Sequence, residues 1–281
     1  MYRIVRKERL HDTVSLIEVE APYVARKALP GQFIVLRIDE KGERIPLTIA
    51  DYDREKGTAT VIFQKVGATT KRLDLLEEGD YLMDFAGPLR QGQRSLTTRR
   101  QKAAVVAGGL GAIAYPQAKA LNAIGADVDA FIGFRSTSLY ILTEEFKSAC
   151  KNLYIMTDDG SNGHKGFVTS ALEEQLKAGT RYDEVFVLGP MPMMRAVCNL
   201  TKEYGIKTTV SMNTIMIDGT GMCGGCRLTV NGETKFACVD GPDFDGHLVD
   251  FDEAIMRSRM YKAEEKLSDE KHFCHLIGGE R

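Results

Sequence analysis

Short apolar runs, broken at intervals by Gly, Pro or Asp, fill the first third of the chain: VSLIEVEA, QFIVLRI, GTATVIFQKV and DYLMDFAG. Runs of this length, bounded by turn-forming residues, predict an antiparallel barrel or sandwich. From Gln101 the rhythm changes. KAAVVAGG reads as an apolar strand, AIAYPQAKALNAIG as a helix and DVDAFIGF as a second strand; LYIMTD and EVFVLG follow as strands, separated by helical TEEFKSAC and FVTSALEEQLKAG. Alternating strands and helices predict a parallel sheet covered on both faces. The polar stretch RQGQRSLTTRRQ between the two patterns reads as a linker. A Gly- and Cys-rich stretch begins after Thr214, and DEAIMRSRMYKAEEKLSDEKHFCHLIGG closes the chain with the spacing of a solvated helix. The expected organisation is a β-barrel domain over residues 1–98, an α/β domain over 99–210, a small cysteine-bearing subdomain over 211–250 and a helical tail over 251–281.

A length of 281 residues suits two domains with an appendage. The charge is balanced, 37 Lys and Arg against 39 Asp and Glu, and no basic run interleaves with aromatics, so nucleic acid is not an expected partner. MYRIVRKERLHDTVSL holds no signal-peptide core, and no run approaches the ~18 apolar residues of a membrane span, so a cytoplasmic chain without a membrane partner is expected. In that reducing setting six cysteines argue for metal ligation or chemistry rather than disulfides. Cys150 and Cys198 read as small buried hydrophobes.

VVAGGLGAIAYP places Gly109-x-Gly111-x-x-Ala114, preceded by Gly108, between a strand and a helix. The first glycine of that pattern permits a tight turn, the second lets the backbone approach a pyrophosphate, and the helix N-terminus supplies N–H groups; a plain glycine-rich turn shares the pattern. The second strand ends GFRS, which puts Arg135 where a 2′-phosphate could be met. TDDGSNGHKG, with Asp158 and Gly160, and LGPMPMMRA follow the carboxyl ends of later strands, the edge at which an open parallel sheet binds ligands. Gly189 and Pro190 would line a nicotinamide there, while Met191, Met193 and Met194 either cover a cofactor or pack the start of a helix. In the first domain ERIPLTIADYD presents Arg44, Pro46 and Thr48 at a strand end, and VIFQKVGATTKRL presents Gly67, Thr69 and Thr70 at a helix start. Arginine beside a helix N-terminus suits a phosphate and a hydroxyl beside a rigid proline suits a ring nitrogen, though such a turn also reads as a plain helix cap.

DGTGMCGGCRLTVNGETKFAC spaces its polar ligands as D-x4-C-x2-C-x11-C. Plant-type 2Fe-2S sites use C-x4-C-x2-C and a distant fourth cysteine. Cys223, Cys226 and Cys238 fit the last three positions, and Asp218 stands at the first. A carboxylate is anionic like a thiolate but a harder donor. Glycines at 219, 221, 224 and 225 would let the backbone wrap a cluster closely. A structural zinc held by the three cysteines with His247, or with Cys274 and His275, is the rival reading. Asp218 could also merely cap its loop, leaving Cys274 as fourth donor; otherwise His247 reads as a turn histidine.

The order of these parts resembles the ferredoxin-NADP reductase superfamily: an R-x-P-x-T segment and a G-x-x-T turn in a barrel closed by FAGPL, then GGLG, TDDGS and GPMPM in a nucleotide domain. The cysteine appendage is similar to that of the electron-transfer subunit of dihydroorotate dehydrogenase. GTGMCGGCRLTVNGETKFACVDGPDFDGHLVDFDE is more similar still to the small subunits of NADH-dependent reduced ferredoxin:NADP oxidoreductases. The resemblance implies a Greek-key FAD-binding barrel, an NAD(H)-binding domain and a 2Fe-2S subdomain in an electron-bifurcating complex. It implies a flavin site of Arg44, Pro46, Leu47, Thr48, Ile62, Phe63, Gln64, Gly67, Thr69 and Thr70, with Thr48 beside the reactive ring. It implies a nucleotide site of Gly108, Gly109, Gly111, Arg135, Asp158, Gly160, Gly189, Pro190 and Met191, and cluster ligands Asp218, Cys223, Cys226 and Cys238. A larger partner subunit carrying flavin and 4Fe-4S clusters, with ferredoxin reached through it, is likewise implied. NAD(H) here stands against the 2′-phosphate reading of Arg135, although an arginine at that place can also meet ribose or pyrophosphate. The alternatives are a dihydroorotate dehydrogenase subunit and a zinc-stapled binding subunit without flavin.

Overall fold

The computed structural model describes residues 1–89, 101–110 and 114–277. Gly111 and most of the expected linker lie outside the described residues. The first part holds β1 (Tyr2–His11), β2 (Val14–Glu20), α1 (Pro22–Lys27), β3 (Phe33–Arg37), β4 (Ile45–Asp53), β5 (Thr58–Gln64), α2 (Ala68–Leu73), β6 (Tyr81–Leu82) and β7 (Asp84–Leu89). Its strands form one antiparallel sheet in the order β6-β1-β2-β5-β4-β3-β7, with β2 passing over two strands to reach β3. Ile17, Val19, Ile34, Leu36, Ile49, Val61, Phe63 and Phe85 fill its interior. This is a nearly closed antiparallel barrel, one of the two arrangements that the short apolar runs predict and the one that the resemblance implies.

The second part comprises β8 (Lys102–Gly108), α3 (Tyr115–Ala123), β9 (Asp127–Phe134), α4 (Thr143–Ala149), β10 (Asn152–Thr157), α5 (Val168–Lys177), β11 (Glu184–Leu188), α6 (Met191–Glu203) and β12 (Lys207–Ser211). Its strands are parallel in the order β10-β9-β8-β11-β12. Side chains alternate across β8: Ala103, Val105 and Ala107 pack with α3 and α4, whereas Ala104 and Val106 pack with α5 and α6. Two apolar faces explain why the strand reads as a continuous apolar run. Val14, Leu16, Ala50 and Ile62 of the barrel join the first of these clusters, and Phe33 and Val35 join the second. Lys119 of α3 also bonds both carboxylate oxygens of Asp51 in β4 at 3.2 Å.

The C-terminal part holds β13 (Arg227–Val230), β14 (Glu233–Phe236), β15 (Asp243–Asp245), α7 (Phe251–Arg257) and α8 (Lys262–Ile277). β13 and β14 form a hairpin, and β15 adds antiparallel to β12 as the sixth strand of the nucleotide sheet. The cysteine-bearing stretch is therefore stitched into the sheet before it. The tail, expected as one solvated helix, is two helices separated by a turn. Asp250 caps α7 by accepting the N–H of Glu253 at 2.9 Å, and Phe251 and Ala254 bury into the core, whereas the described side chains of α8, at 262–268 and 270, are exposed as the sequence reading expects. Among the described residues no helix is long and apolar enough to cross a membrane.

Gly246, just after β15, lies against α6: a β carbon there would stand 2.4 Å from Cys198 Sγ and 2.8 Å from Val210 Cγ1. Gly246→Ala should therefore lower stability by roughly 1–3 kcal/mol through overpacking. Urea unfolding of Gly246→Ala, Cys198→Ala and the double variant checks the cause. The double variant should be more stable than the two single losses add up to, because removing the sulfur opens the space.

Candidate functional site

β4 and β5 pair only as far as Ile49 with Val61. Beyond that point Pro46, Leu47 and Thr48 pair only with β3, and Ile62, Phe63 and Gln64 pair only with β2. Two strand ends thus face each other across a slot with main-chain groups unspent on either lip, and Pro46 is tolerated because it stands on an edge without a ladder partner. Thr48 lies opposite Phe33 and Pro46 opposite Val35, which places these four on the outward face of the barrel wall. Leu47 and Phe63 turn inward to the barrel core, and Ile62 packs toward the nucleotide sheet. At the end of β5 the hydroxyl of Thr70 accepts the N–H groups of Val66 and Gly67 at 3.1 Å and closes the start of α2. Thr69 donates to the Glu43 carboxylate. Arg44 is exposed and makes no ion pair among the described residues.

In the second domain the strand order reverses between β8 and β11, the place where doubly wound sheets bind ligands beyond their carboxyl ends. Gly109, at φ +70°, turns the chain out of β8 there. Gly189, at φ +145°, ends β11 so close that a β carbon would stand 2.9 Å from the carbonyl oxygen of Gly108. Met193 lies over Gly108, with its sulfur 2.5 Å from where a β carbon would be. Met191 and Met194 are buried in the core. Pro190 begins α6. Arg135 follows β9, is exposed and makes no ion pair among the described residues, and Asp158 and Gly160 follow the neighbouring β10. The carbonyl of Arg135 accepts the N–H of Asp159 at 3.2 Å, so the two strand-end loops run together.

The cysteine loop is built on glycines. Gly219, at φ +76°, has no space for a side chain: a β carbon would stand 2.9 Å from Leu89 Cδ1 and 3.0 Å from Val35 Cγ2. These two residues belong to the barrel, so the loop sits directly on the wall that carries Thr48 and Pro46. Gly221, at φ +87°, is likewise closed in by Val239. Asp218 accepts the N–H of Thr220 at 2.7 Å through one carboxylate oxygen and that of Cys223 at 2.8 Å through the other. The Thr220 N–H, and then that of Cys223, hold its carboxyl below the usual carboxylate range. The thiols of Cys226 and Cys238 are buried and 3.3 Å apart, while Cys223 is exposed. Asp218 is tied to Cys223 and Cys226 lies with Cys238, but among the described residues no three such groups converge on a single point. His247 is turned elsewhere, its Nε2 3.2 Å from Thr201 Oγ1 on α6. The side chains of Cys274 and His275 lie outside the described residues. Sequence reasoning missed Val35 and Leu89 as the seat of the loop; the only signal was the FAGPL segment ending in Leu89.

Burial, and then the neighbouring Cys226, push the Cys238 thiol up to about 12; burial pushes Cys150 and Cys198 up to about 12 as well. In metal-stripped, reduced protein at mildly alkaline pH, iodoacetamide should therefore alkylate Cys223 well before these three, whose protection fades as the pH climbs toward about 12. Peptide mass spectrometry over a time course reads the order. Labelling of Cys238 as fast as Cys223 would contradict the buried placement.

Residues 213–250 match the family described as the iron-sulfur cluster binding domain of dihydroorotate dehydrogenase B. A Thermotoga maritima protein named as an electron transfer subunit homolog of dihydroorotate dehydrogenase B (NAD(+)) is 42% identical over 269 residues, covering 95% of this chain and 94% of its own. The Fusobacterium nucleatum protein named as the electron transfer subunit of that enzyme is 32% identical over 234 residues, covering 80% and 88%. A chain from the structure of NADH-dependent reduced ferredoxin-NADP oxidoreductase, studied for flavin-based electron bifurcation, superposes with a TM-score of 0.90 at 39% identity, covering 97% of this chain and 98% of that one. The ferredoxin reductase of carbazole 1,9a-dioxygenase, at 18% identity and a TM-score of 0.53, shares the fold. At this identity and coverage, the chain belongs to the family of dihydroorotate dehydrogenase B electron transfer subunits and their homologues, flavoprotein redox subunits of the oxidoreductase class.

Proposed function

We propose that this chain is the NAD(H)-reactive electron-transfer subunit of an NADH-dependent ferredoxin:NADP oxidoreductase complex of the electron-bifurcating kind, with FAD and one 2Fe-2S cluster. The observation that carries the reading is the seat of Gly219 on Val35 and Leu89, which sets the cysteine loop on the barrel wall bearing Thr48. Bound flavin supplies the exchange between two-electron hydride chemistry and single electrons. The chain's own residues orient the partners of that exchange. The lips of the slot, Pro46, Leu47 and Thr48 against Ile62, Phe63 and Gln64, would hold the flat ring with Thr48 at its reactive edge. Arg44, Gly67, Thr69 and Thr70 would take the phosphates, and the turns at Gly109 and Gly189 would bring the nicotinamide to that ring. Arg135, with Asp158 and Gly160 beside it, would meet the adenosine half, its charge open to ribose or pyrophosphate.

A 2Fe-2S cluster distributes four ligands as two pairs on two irons, whereas zinc draws four to one point. The pairing of Asp218 with Cys223 and of Cys226 with Cys238 supports the two-iron reading. Sulfurs sharing a tetrahedral metal at ~2.3 Å stand about 3.8 Å apart, so the Cys226 and Cys238 thiols need little movement. Single electrons would pass outward to a larger partner carrying flavin and 4Fe-4S clusters, and through it to ferredoxin. The match of residues 213–250 to the dihydroorotate dehydrogenase B domain favours a second reading, in which the partner is that dehydrogenase. Co-purification of the native complex and assay with NADP and ferredoxin, or with dihydroorotate, separates the two.

Anaerobically prepared protein should carry one FAD and two irons per chain, with a two-iron EPR signal on reduction. NADH should bleach the flavin faster than NADPH in stopped flow; the opposite preference would assign Arg135 to a 2′-phosphate. About one zinc and no iron would overturn the cluster.

Asp218→Cys should keep the cluster and move its reduction potential, since one donor atom on one iron changes. Asp218→Ala should loosen the cluster. Redox titration followed by EPR decides, with Cys274→Ala as the control: loss of signal there, with Asp218→Ala unchanged, would move the fourth ligand to the tail.

A further inference from the structure

Arg257, on α7, directs its guanidinium onto the cysteine loop. Its Nε donates to the carbonyl of Arg227 at 3.1 Å and its Nη2 to the carbonyl of Gly225 at 3.3 Å. These carbonyls belong to the residues on either side of Cys226. The side chain is half-buried and makes no ion pair among the described residues, whereas Arg37, Arg72 and Arg195 are matched by Asp84, Asp39 and Asp252. Arg257 thus brings a positive charge, without an ion-pair partner among the described residues, to the backbone that holds one sulfur ligand.

Its platform is rigid. Besides the Asp250 cap, the carboxylate of Glu253 accepts the N–H of Thr229 at 3.0 Å, and the N–H of Asp250 donates to the Thr229 carbonyl at 2.9 Å. Phe251 and Ala254 anchor the same helix in the core. Beside the guanidinium lies a small cavity of about 40 Å³ lined by Thr214, Gly225, Arg227, Ala254 and Arg257, with room for a few waters beside the charge.

We infer that Arg257 is a positioning residue for the Cys226 side of the cluster and that its charge stabilises the cluster's reduced state. The inference rests on the proposed two-iron site. Reduction adds one negative charge to the cluster, so a fixed cation nearby makes its potential less negative, in line with the dependence of such potentials on net charge and hydrogen bonding. The guanidinium's forked donors suit two carbonyls at once; lysine keeps the charge without the fork, and glutamine keeps a donor without the charge.

The full-length chain, anaerobically prepared with its cluster, is titrated with dithionite and mediators while EPR follows the signal. Arg257→Gln should retain iron and show a more negative midpoint, and Arg257→Lys should stay close to the unsubstituted protein. An unmoved midpoint in Arg257→Gln, or an equal shift in Arg257→Lys, overturns the inference. Should Arg257→Gln lose iron, retention of both iron and midpoint by Arg257→Lys still supports the inference, while iron loss in both leaves only a structural role and overturns it. Absence of a two-iron signal in the unsubstituted chain would instead overturn the reading beneath it, and the inference with it.

Discussion

Gly219 against Val35 and Leu89 is the contact on which the joining of the two proposed cofactor sites depends. It brings together residues 130 (Leu89) and 184 (Val35) positions apart in sequence, and no local propensity can produce it. What holds it is the anchoring of the C-terminal stretch elsewhere. β15 adds to the edge of the nucleotide sheet, α7 grips β13 through Thr229, and Cys226, Cys238 and Leu228 share one buried cluster with Phe33 and Val35. Apolar burial of this kind contributes roughly 25 cal/mol per Å², and its continuity from barrel to sheet to loop leaves little freedom for the parts to separate. Electron exchange falls steeply with distance, so a fixed contact between loop and barrel wall suits a redox subunit better than a tethered module would.

Both halves of the candidate site arise from interrupted regularity. The barrel offers its slot where the β4–β5 ladder stops, and the α/β domain offers its turns where the strand order reverses. In the barrel, main-chain groups that regular pairing would have consumed are left free for a ligand; in the sheet, the chains leaving β8 and β11 run to helices on opposite faces and open a crevice between them. Glycine then sets how close an approach is possible. At Gly189 the absence of a side chain lets two turns touch, and at Gly219 it lets a loop lie on a wall.

The layered fold was legible because its signals are local. The continuous apolar run of β8 and the turn residues between the barrel runs report their own surroundings. The glycines of the β8 turn and the cysteine spacing were legible for the same reason, since each motif lies within one continuous stretch, the longer running from Asp218 to Cys238. The break between α7 and α8 was missed because the charged residues on either side suggest one continuous solvated face, and the Asp250–Glu253 cap marks only where α7 begins. The burial of Met191 could not be separated from a cofactor-covering role by spacing alone, since both place an apolar residue at the start of α6. The roles of Val35, Leu89 and Arg257 depend on tertiary contacts and leave almost no trace in the linear pattern.

Asp218 shows how a structural and a chemical role can belong to one side chain. The sequence offers capping and ligation as rivals, and the structure gives the cap: two N–H groups, one on each oxygen. An ionised carboxylate, however, has about four acceptor sites, so these bonds use only half of them. They also favour the anion, which keeps the group deprotonated and aimed by the backbone of Cys223, its proposed companion on the same iron. A thiolate in that place would bind iron more softly but would accept such hydrogen bonds weakly and orient the loop less firmly. The cap therefore prepares the proposed ligand for its task, and the glycines at 219 and 221 supply the turns that let both N–H groups reach it.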